Sequence, residues 1–208
     1  MELEFKGGNC VIISHKKSVF VTDPKLSQLG LKDQGQSATA LLLTQERFAV
    51  TPGDDSIVIS GPGEYEVSNC SIVGVAAQPH LEVGGDSKAT IYRFELDDIT
   101  VGIIGHITPK LSEEQLEALG VVDVLIVPVG DHGYTLDPKA AVAIVRDIDP
   151  KVVIPTRYAE EGVHYEVPQA KIEEFTSELS APVETIAKLK LKAGQLPEGL
   201  TVYQLTHK

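Results

Sequence analysis

Apolar positions in the first hundred residues recur in short runs with turn residues between them, a pattern typical of β-strands. The runs 9–14 and 18–22 are separated by only three residues, and this spacing predicts a hairpin. No segment of this half keeps helical periodicity for more than one turn. Further strands are predicted at 40–44, 56–60, 70–76, 89–96 and 100–104.

The second half of the chain alternates helical and strand patterns. Ser112 and Gln115 have the spacing of a capping box, and Asp137 followed by Pro138 predicts an N-cap with proline at the first helical position. Helices are therefore predicted after Ser112, over 137–147 and over 168–179. The apolar runs 121–129 and 151–155 are predicted to be buried strands.

The chain contains no low-complexity linker. Residues 1–208 are therefore predicted to form one α/β domain, with a strand-rich half at about 1–105 and an alternating half at about 106–208.

The tail segment 188–192 alternates lysine and leucine, so a strand there would carry three lysines on one face. A basic ligand-binding stripe and a solvated edge strand both fit this pattern. The edge strand is favoured, because lysines on an edge prevent pairing with another chain.

Charge and hydropathy exclude several classes of partner. The net charge of −12 argues against nucleic acid and against an anionic membrane surface as partners. The apolar runs are too short for a membrane span, and the N-terminus lacks the pattern of a secretory signal. Cys10 and Cys70 lie in apolar segments and are predicted to be reduced and buried. A cytoplasmic location is therefore expected.

Several segments, taken in order, resemble the metallo-β-lactamase superfamily, in particular its branch of small zinc-dependent hydrolases similar to ascorbate-6-phosphate lactonase. The resemblance implies a four-layer αββα sandwich with a metal site at the edge where loops from both halves meet. Family members bind two divalent ions, zinc or manganese, which activate a water molecule. The segments are 19–24 with its Asp-Pro ending, 40–48, 61–67 with a Gly-Glu-Tyr-Glu turn, 102–106, 127–130 and 153–158.

The resemblance also shows which residues stand at the positions of the family's metal ligands. Arginine has no lone pair to donate, and alanine and valine cannot coordinate a metal. Only His80 keeps a ligand of the family's type, so no metal cofactor is expected. The His-x-His-x-Asp-His loop falls on Gln45, Arg47, Ala49 and Val50, the bridging aspartate on His106 and the last histidine on Arg157. We call Gln45, Arg47, His80, His106 and Arg157 the vestigial site.

Two functions remain open. A non-catalytic binding protein would use the vestigial site for a protein partner or a small anion, with Arg47 and Arg157 holding a carboxylate or phosphate. A divergent hydrolase would act with one metal or none on a phosphorylated or lactone-like molecule. The number of lost ligands favours the binding protein. The alternative to an anion pocket is that the arginines pair with local acids such as Glu46 or Glu160.

Two further arrangements of the vestigial site are considered. A single metal ion could be held by His80 and His106 together with Glu46 or His132. His132 could also act as a general base beside Asp131, although a surface histidine without a catalytic role is the simpler interpretation.

Loss of the metal ions has a consequence for stability. In a metal-bearing relative the ions tie several loops together, so this chain has to hold the same loops by packing and ion pairs. The apolar residues 48–50 are predicted to fill the space of the missing ligands.

Overall fold

The computed structural model describes residues 1–80, 88–132 and 135–207. Within these ranges the chain forms two mixed β-sheets and three α-helices. The strands are β1 (Glu2–Gly7), β2 (Cys10–His15), β3 (Ser18–Thr22), β4 (Ala40–Leu42), β5 (Ile57–Ile59), β6 (Gly63–Val67), β7 (Cys70–Ala77), β8 (Ala89–Leu96), β9 (Ile99–Ile103), β10 (Val124–Pro128), β11 (Val152–Thr156), β12 (Val183–Ile186), β13 (Leu189–Lys190) and β14 (Thr201–Leu205). The helices are α1 (Glu113–Leu119), α2 (Pro138–Ile148) and α3 (Ile172–Leu179).

The first sheet has the strand order β13-β1-β2-β3-β4-β5. Strands β1, β2 and β3 are antiparallel neighbours, and the hairpin predicted for β2 and β3 is confirmed. Strands β3, β4 and β5 run parallel, so the ends of β3 and β4 lie side by side at one edge. Strand β1 is an additional element that the sequence patterns did not predict.

The second sheet has the strand order β12-β14-β11-β10-β9-β8-β7-β6. Its antiparallel part is β6 to β9, and its parallel part is β9, β10, β11, β14 and β12. The two sheets pack face to face around a shared apolar core. At its centre the rings of Phe20 and Phe94 meet edge to face, with 4.9 Å between their centroids.

Two of the three helices begin at the residues that the capping signals predicted. Ser112 and Gln115 form a capping box at α1, and the Asp137 carboxylate accepts a hydrogen bond from the backbone of α2. Helix α3 begins at Ile172 and not at residue 168, because Lys171 is its N-cap and Glu174 accepts a hydrogen bond from the Lys171 amide. Helix α1 packs on β7 and β8, and α2 packs on β10 and α3.

The outer face of the first sheet is covered by the segment 24–38, which contains a short 3-10 turn, Ser27–Leu29. Leu26 and Leu29 pack there against Val21 and Leu41, while the alternate residues of the same strands face the other sheet. The predicted α/β class and the sandwich of two sheets are confirmed.

Two segments whose structure was predicted from the sequence are edge strands. Residues 61–67 were predicted to contain a turn, but Gly63–Val67 is an edge strand that pairs antiparallel with β7. The lysine-rich tail is an edge strand, as predicted: β13 pairs with β1, and Lys188 Nζ lies 2.7 Å from Glu4 Oε1 and 3.4 Å from Glu2 Oε1.

The two cysteines, Cys10 and Cys70, are free and buried, as predicted. Burial raises the pKa of the Cys70 thiol to about 11, so this thiol is protonated at neutral pH. Among the helices that the structure describes, none has the length and apolar character needed to cross a membrane.

Candidate functional site

A buried carboxyl group lies at the edge where β3 and β4 end. Asp23 follows β3 and Thr44 follows β4, and both side chains are buried. Asp23 Oδ1 accepts a hydrogen bond from the Thr44 backbone N–H at 2.8 Å, and Oδ2 accepts one from the Thr44 hydroxyl at 2.6 Å. Asp23 thereby fixes the first residue of the loop that carries Gln45 and Arg47.

Burial raises the pKa of Asp23 from 3.8 to about 7. The two hydrogen bonds from Thr44, the positive charge of Arg47 and the side chain of Asn9 act in the opposite direction and favour the carboxylate. Desolvation is the largest of these effects. Near neutral pH the site therefore contains a carboxyl group that is partly protonated.

Asn9 connects this carboxyl group to the second sheet. The Thr22 hydroxyl donates to Asn9 O at 2.7 Å, and the Thr156 hydroxyl donates to Asn9 Oδ1 at 3.2 Å. The next residue, Arg157, donates its backbone N–H to Gly8 O at 2.9 Å. The ends of β3 and β11 are thus joined through residues 8 and 9, and the positive charge of Arg47 acts on Asp23 from the loop after β4.

The loop after β4 forms a 3-10 turn, Glu46–Phe48, in which the side chains stack in series. Arg47 Nε donates to Gln45 Oε1 at 3.0 Å, and the Arg47 guanidinium lies 4.6 Å from the centroid of the Phe48 ring. The Phe48 ring stacks on His106, with 5.5 Å between centroids. Gln45, Arg47, Phe48 and His106 thus contact one another in series.

The two histidines of the vestigial site are joined through the backbone. The His80 N–H donates to His106 O at 2.9 Å, and the His106 side chain is buried. Gly105 packs so closely on Thr44 that a Cβ at this position would overlap the threonine side chain. This contact brings the end of β9 against the loop after β4.

Arg157 is the largest fully buried side chain described, with 1% exposure and a φ of +48°. Its Nη2 lies 2.7 Å from Glu166 Oε2, and its guanidinium lies 5.0 Å from the centroid of the Tyr165 ring. Pairing with a local acid was one of the two alternatives considered for this arginine. The acid is Glu166, whereas Glu160 lies 2.6 Å from His207 Nδ1.

The structure brings Gln45, Arg47, His80 and His106 into one series of contacts, which runs through Phe48. The backbone N–H of Arg157 donates to Gly8 O, next to Asn9, and the Asn9 side chain contacts Asp23. The sequence analysis missed both Asn9 and Asp23. The Asp-Pro ending at Asp23 was the available signal, but it was used only as a marker of the fold.

The remaining predicted residues lie as follows. Phe48 fills space beside His106 as predicted, but Ala49 is exposed, and Val50 packs on the outer cluster of the first sheet. His132 is exposed and has a φ of +58°, in the turn after β10. Glu46 is also exposed.

The donor chemistry at this edge does not fit a two-metal centre. Among residues 1–80, 88–132 and 135–207, no three His, Cys, Asp or Glu side chains are grouped so that they could hold a metal ion. A site built from His80 and His106 with Glu46 or His132 is therefore not formed in the described part of the chain. The guanidinium groups of Arg47 and Arg157, at positions that the resemblance aligns with metal ligands, would also repel a dication.

A two-sheet αββα-type sandwich with polar loops gathered at one edge defines the class of this protein. The sequence profile of the family described as beta-lactamase superfamily domain matches residues 2–157. The chain belongs to this family. No curated protein matches the sequence.

Solved structures show the same fold. A Thermotoga maritima protein, provisionally described as a Zn-dependent hydrolase of the metallo-β-lactamase superfamily, is similar with a TM-score of 0.78 and 24% identity, over 99% of each chain. Igni18, a metallo hydrolase of Ignicoccus hospitalis, is similar with a TM-score of 0.68 and 16% identity, over 92% of this chain and 99% of that chain. An isothiocyanate hydrolase from Delia radicum gut bacteria is similar with a TM-score of 0.64 and 13% identity, over 93% of this chain and 100% of that chain. At these identities the likeness concerns the fold alone.

Proposed function

We propose that this chain is a binding protein with a metallo-β-lactamase fold, which takes a small anion at the vestigial site and has no two-metal hydrolytic centre. One feature carries the proposal: the resemblance aligns Arg47 and Arg157 with metal ligands of the family, and their guanidinium groups cannot coordinate a metal. A guanidinium is instead a bidentate partner for a carboxylate or a phosphate.

The surroundings of the two arginines support an anionic ligand. Arg47 is only half-buried, so a ligand entering from solvent can reach it, and Arg157 already holds a carboxylate, that of Glu166. The Arg47 Nε is engaged with Gln45, and this hydrogen bond orients the guanidinium over Phe48. An arginine held in this way loses little side-chain entropy when a ligand binds.

A divergent hydrolase is the second candidate, and it is favoured by the descriptions of the structural neighbours, which include a metallo hydrolase and an isothiocyanate hydrolase. Such an enzyme would act on a phosphorylated or lactone-like small molecule. It differs from the binding protein in requiring a stoichiometric metal or measurable turnover of phosphoester and lactone substrates.

The substitution Arg47→Gln tests the anion site. Because a hydrogen bond to a charged group contributes about 1.5–3 kcal/mol, we expect affinity for inorganic phosphate or oxalate to fall at least about tenfold. Titration calorimetry at low ionic strength measures this loss. Arg146→Gln on the exposed face of α2 removes the same charge far from the site and is the matched control. Equal affinities in the two variants, or no binding by the unmodified protein, would contradict the proposal.

A further inference from the structure

The loop between β11 and α3 is irregular and closes on itself. The Ala159 N–H donates to Ala170 O at 2.8 Å, and the Ala170 N–H donates to Gly130 O at 2.6 Å. The loop 159–170 therefore has the form of an Ω-loop, whose ends lie together while its middle extends over neighbouring elements. Loops of this length without secondary structure are often functional.

The middle of this loop lies on the buried arginine of the vestigial site. Glu166 supplies the carboxylate paired with Arg157, and Tyr165 places its ring against the same guanidinium. The Tyr165 hydroxyl donates to Glu160 Oε1 at 3.0 Å and accepts from the Gly8 N–H at 3.3 Å. Tyr165 and Glu166 thus help to cover the guanidinium of Arg157, which is 1% exposed.

The two partners of the ion pair differ greatly in exposure. The Arg157 side chain is 1% exposed, whereas the Glu166 side chain is 36% exposed. Taking Glu166 away without replacement would leave a buried charge without this partner, which is unfavourable. If a carboxylate or phosphate of a ligand replaces Glu166, the guanidinium stays paired. The free-energy cost of returning Glu166 to water is small, because its side chain is already partly exposed.

The space needed for such an exchange is present. A cavity of about 380 Å³ lies against the loop and is lined by Ala159, Glu160 and residues 163–169. Because Glu166 lines this cavity and its side chain is 36% exposed, it has open space on one side into which it can move. The cavity also has room for a ligand of a few heavy atoms beside Tyr165 and Glu166, the two residues of the loop that contact Arg157.

We infer that the contact between Glu166 and Arg157 is autoinhibitory: Glu166 occupies the arginine as an internal substitute for the ligand, and it is displaced when a small carboxylate or phosphate binds. This inference rests on the proposed anion site and adds how that site is regulated. It predicts that an open form of the loop, with Arg157 accessible, is the form that binds.

Glu166→Gln tests the inference because it removes the competing charge and keeps the size of the side chain. We expect phosphate and oxalate to bind to this variant about tenfold more tightly than to the unmodified protein. A tenfold change corresponds to about 1.4 kcal/mol of binding free energy. Glu161→Gln changes the same charge at an exposed position of the same loop and should change affinity less than about twofold. Glu166→Asp, which keeps the charge but shortens the reach, should fall between the two.

Hydrogen exchange gives a second readout that does not depend on a ligand. In Glu166→Gln the loop should open more often, so the His164 N–H, which donates to Leu29 O at 3.0 Å, should exchange faster. If the unmodified protein binds phosphate and Glu166→Gln binds it no more tightly, the inference is wrong while the proposed anion site stands. If neither protein binds phosphate or oxalate, both are wrong.

Discussion

The substitution Gly130→Ala should destabilise the fold by about 3 kcal/mol, since it forces a methyl group into a space that backbone already fills. A Cβ at this position would overlap the carbonyl oxygen of Arg157 and the side-chain amide of Gln169. The glutamine side chain can move, but the Arg157 carbonyl cannot move without shifting the backbone at the end of β11. The hydrogen bond from Ala170 N–H to Gly130 O would be lost in the same shift.

Thermal unfolding measures this effect, and a loss of about 3 kcal/mol corresponds to a fall in Tm of roughly 6–12 °C for a chain of this size. Gly199→Ala is the matched control, because no atom lies within 4 Å of the Cβ that it would gain. Its Tm should change by less than about 2 °C. Similar Tm values for the two variants would contradict the close packing of Gly130 on Arg157.

The substitution Asp23→Asn should stabilise the protein in alkaline solution and have a smaller effect in acid. The folded-state pKa of Asp23, about 7, lies above the ordinary value of 3.8. Folding therefore favours the protonated form, and this contribution is complete below pH 4 and is lost as the pH rises through 7. Asparagine stays neutral, and its side chain can accept from the Thr44 N–H and donate to the Thr44 hydroxyl.

The measurement is the difference in free energy of unfolding between Asp23→Asn and the unmodified protein, by urea denaturation at pH 5 and at pH 8. From the two pKa values this difference should increase by about 3 kcal/mol in favour of the variant. Other titrating groups, including the buried Glu160, are common to both proteins and cancel. A difference that does not depend on pH would show that Asp23 is ionised throughout this range.

Most of the fold could be predicted because its signals are local. The hairpin of β2 and β3, the capping box at Ser112 and the N-cap at Asp137 depend on residues close together in sequence. Strand β1 was missed because its alternation of glutamate with leucine and phenylalanine is short and ends in two glycines. The edge strand at residues 63–67 was taken for a turn because Gly61, Pro62 and Gly63 are typical of turns.

The candidate site could be predicted only in part. The resemblance identified Arg47, His106 and Arg157 from their positions in motifs, and the structure connects them through contacts. The resemblance could not reveal that Asn9 and Asp23 join the ends of β3, β4 and β11, because these strands from two sheets have to pack before their end residues meet. Nor could it identify Glu166 as the partner of Arg157, since an irregular loop leaves no periodic signal in the sequence.

The metal content of the protein tests the proposed absence of a two-metal centre. Protein purified without a chelator or an affinity tag is challenged with zinc, manganese and iron, desalted and measured by plasma mass spectrometry. We expect less than about 0.1 equivalent of each metal and no rise in Tm with added zinc, because a bound metal would stabilise the folded state. One or two tightly held equivalents, with a higher Tm, would contradict this proposal and favour the hydrolase.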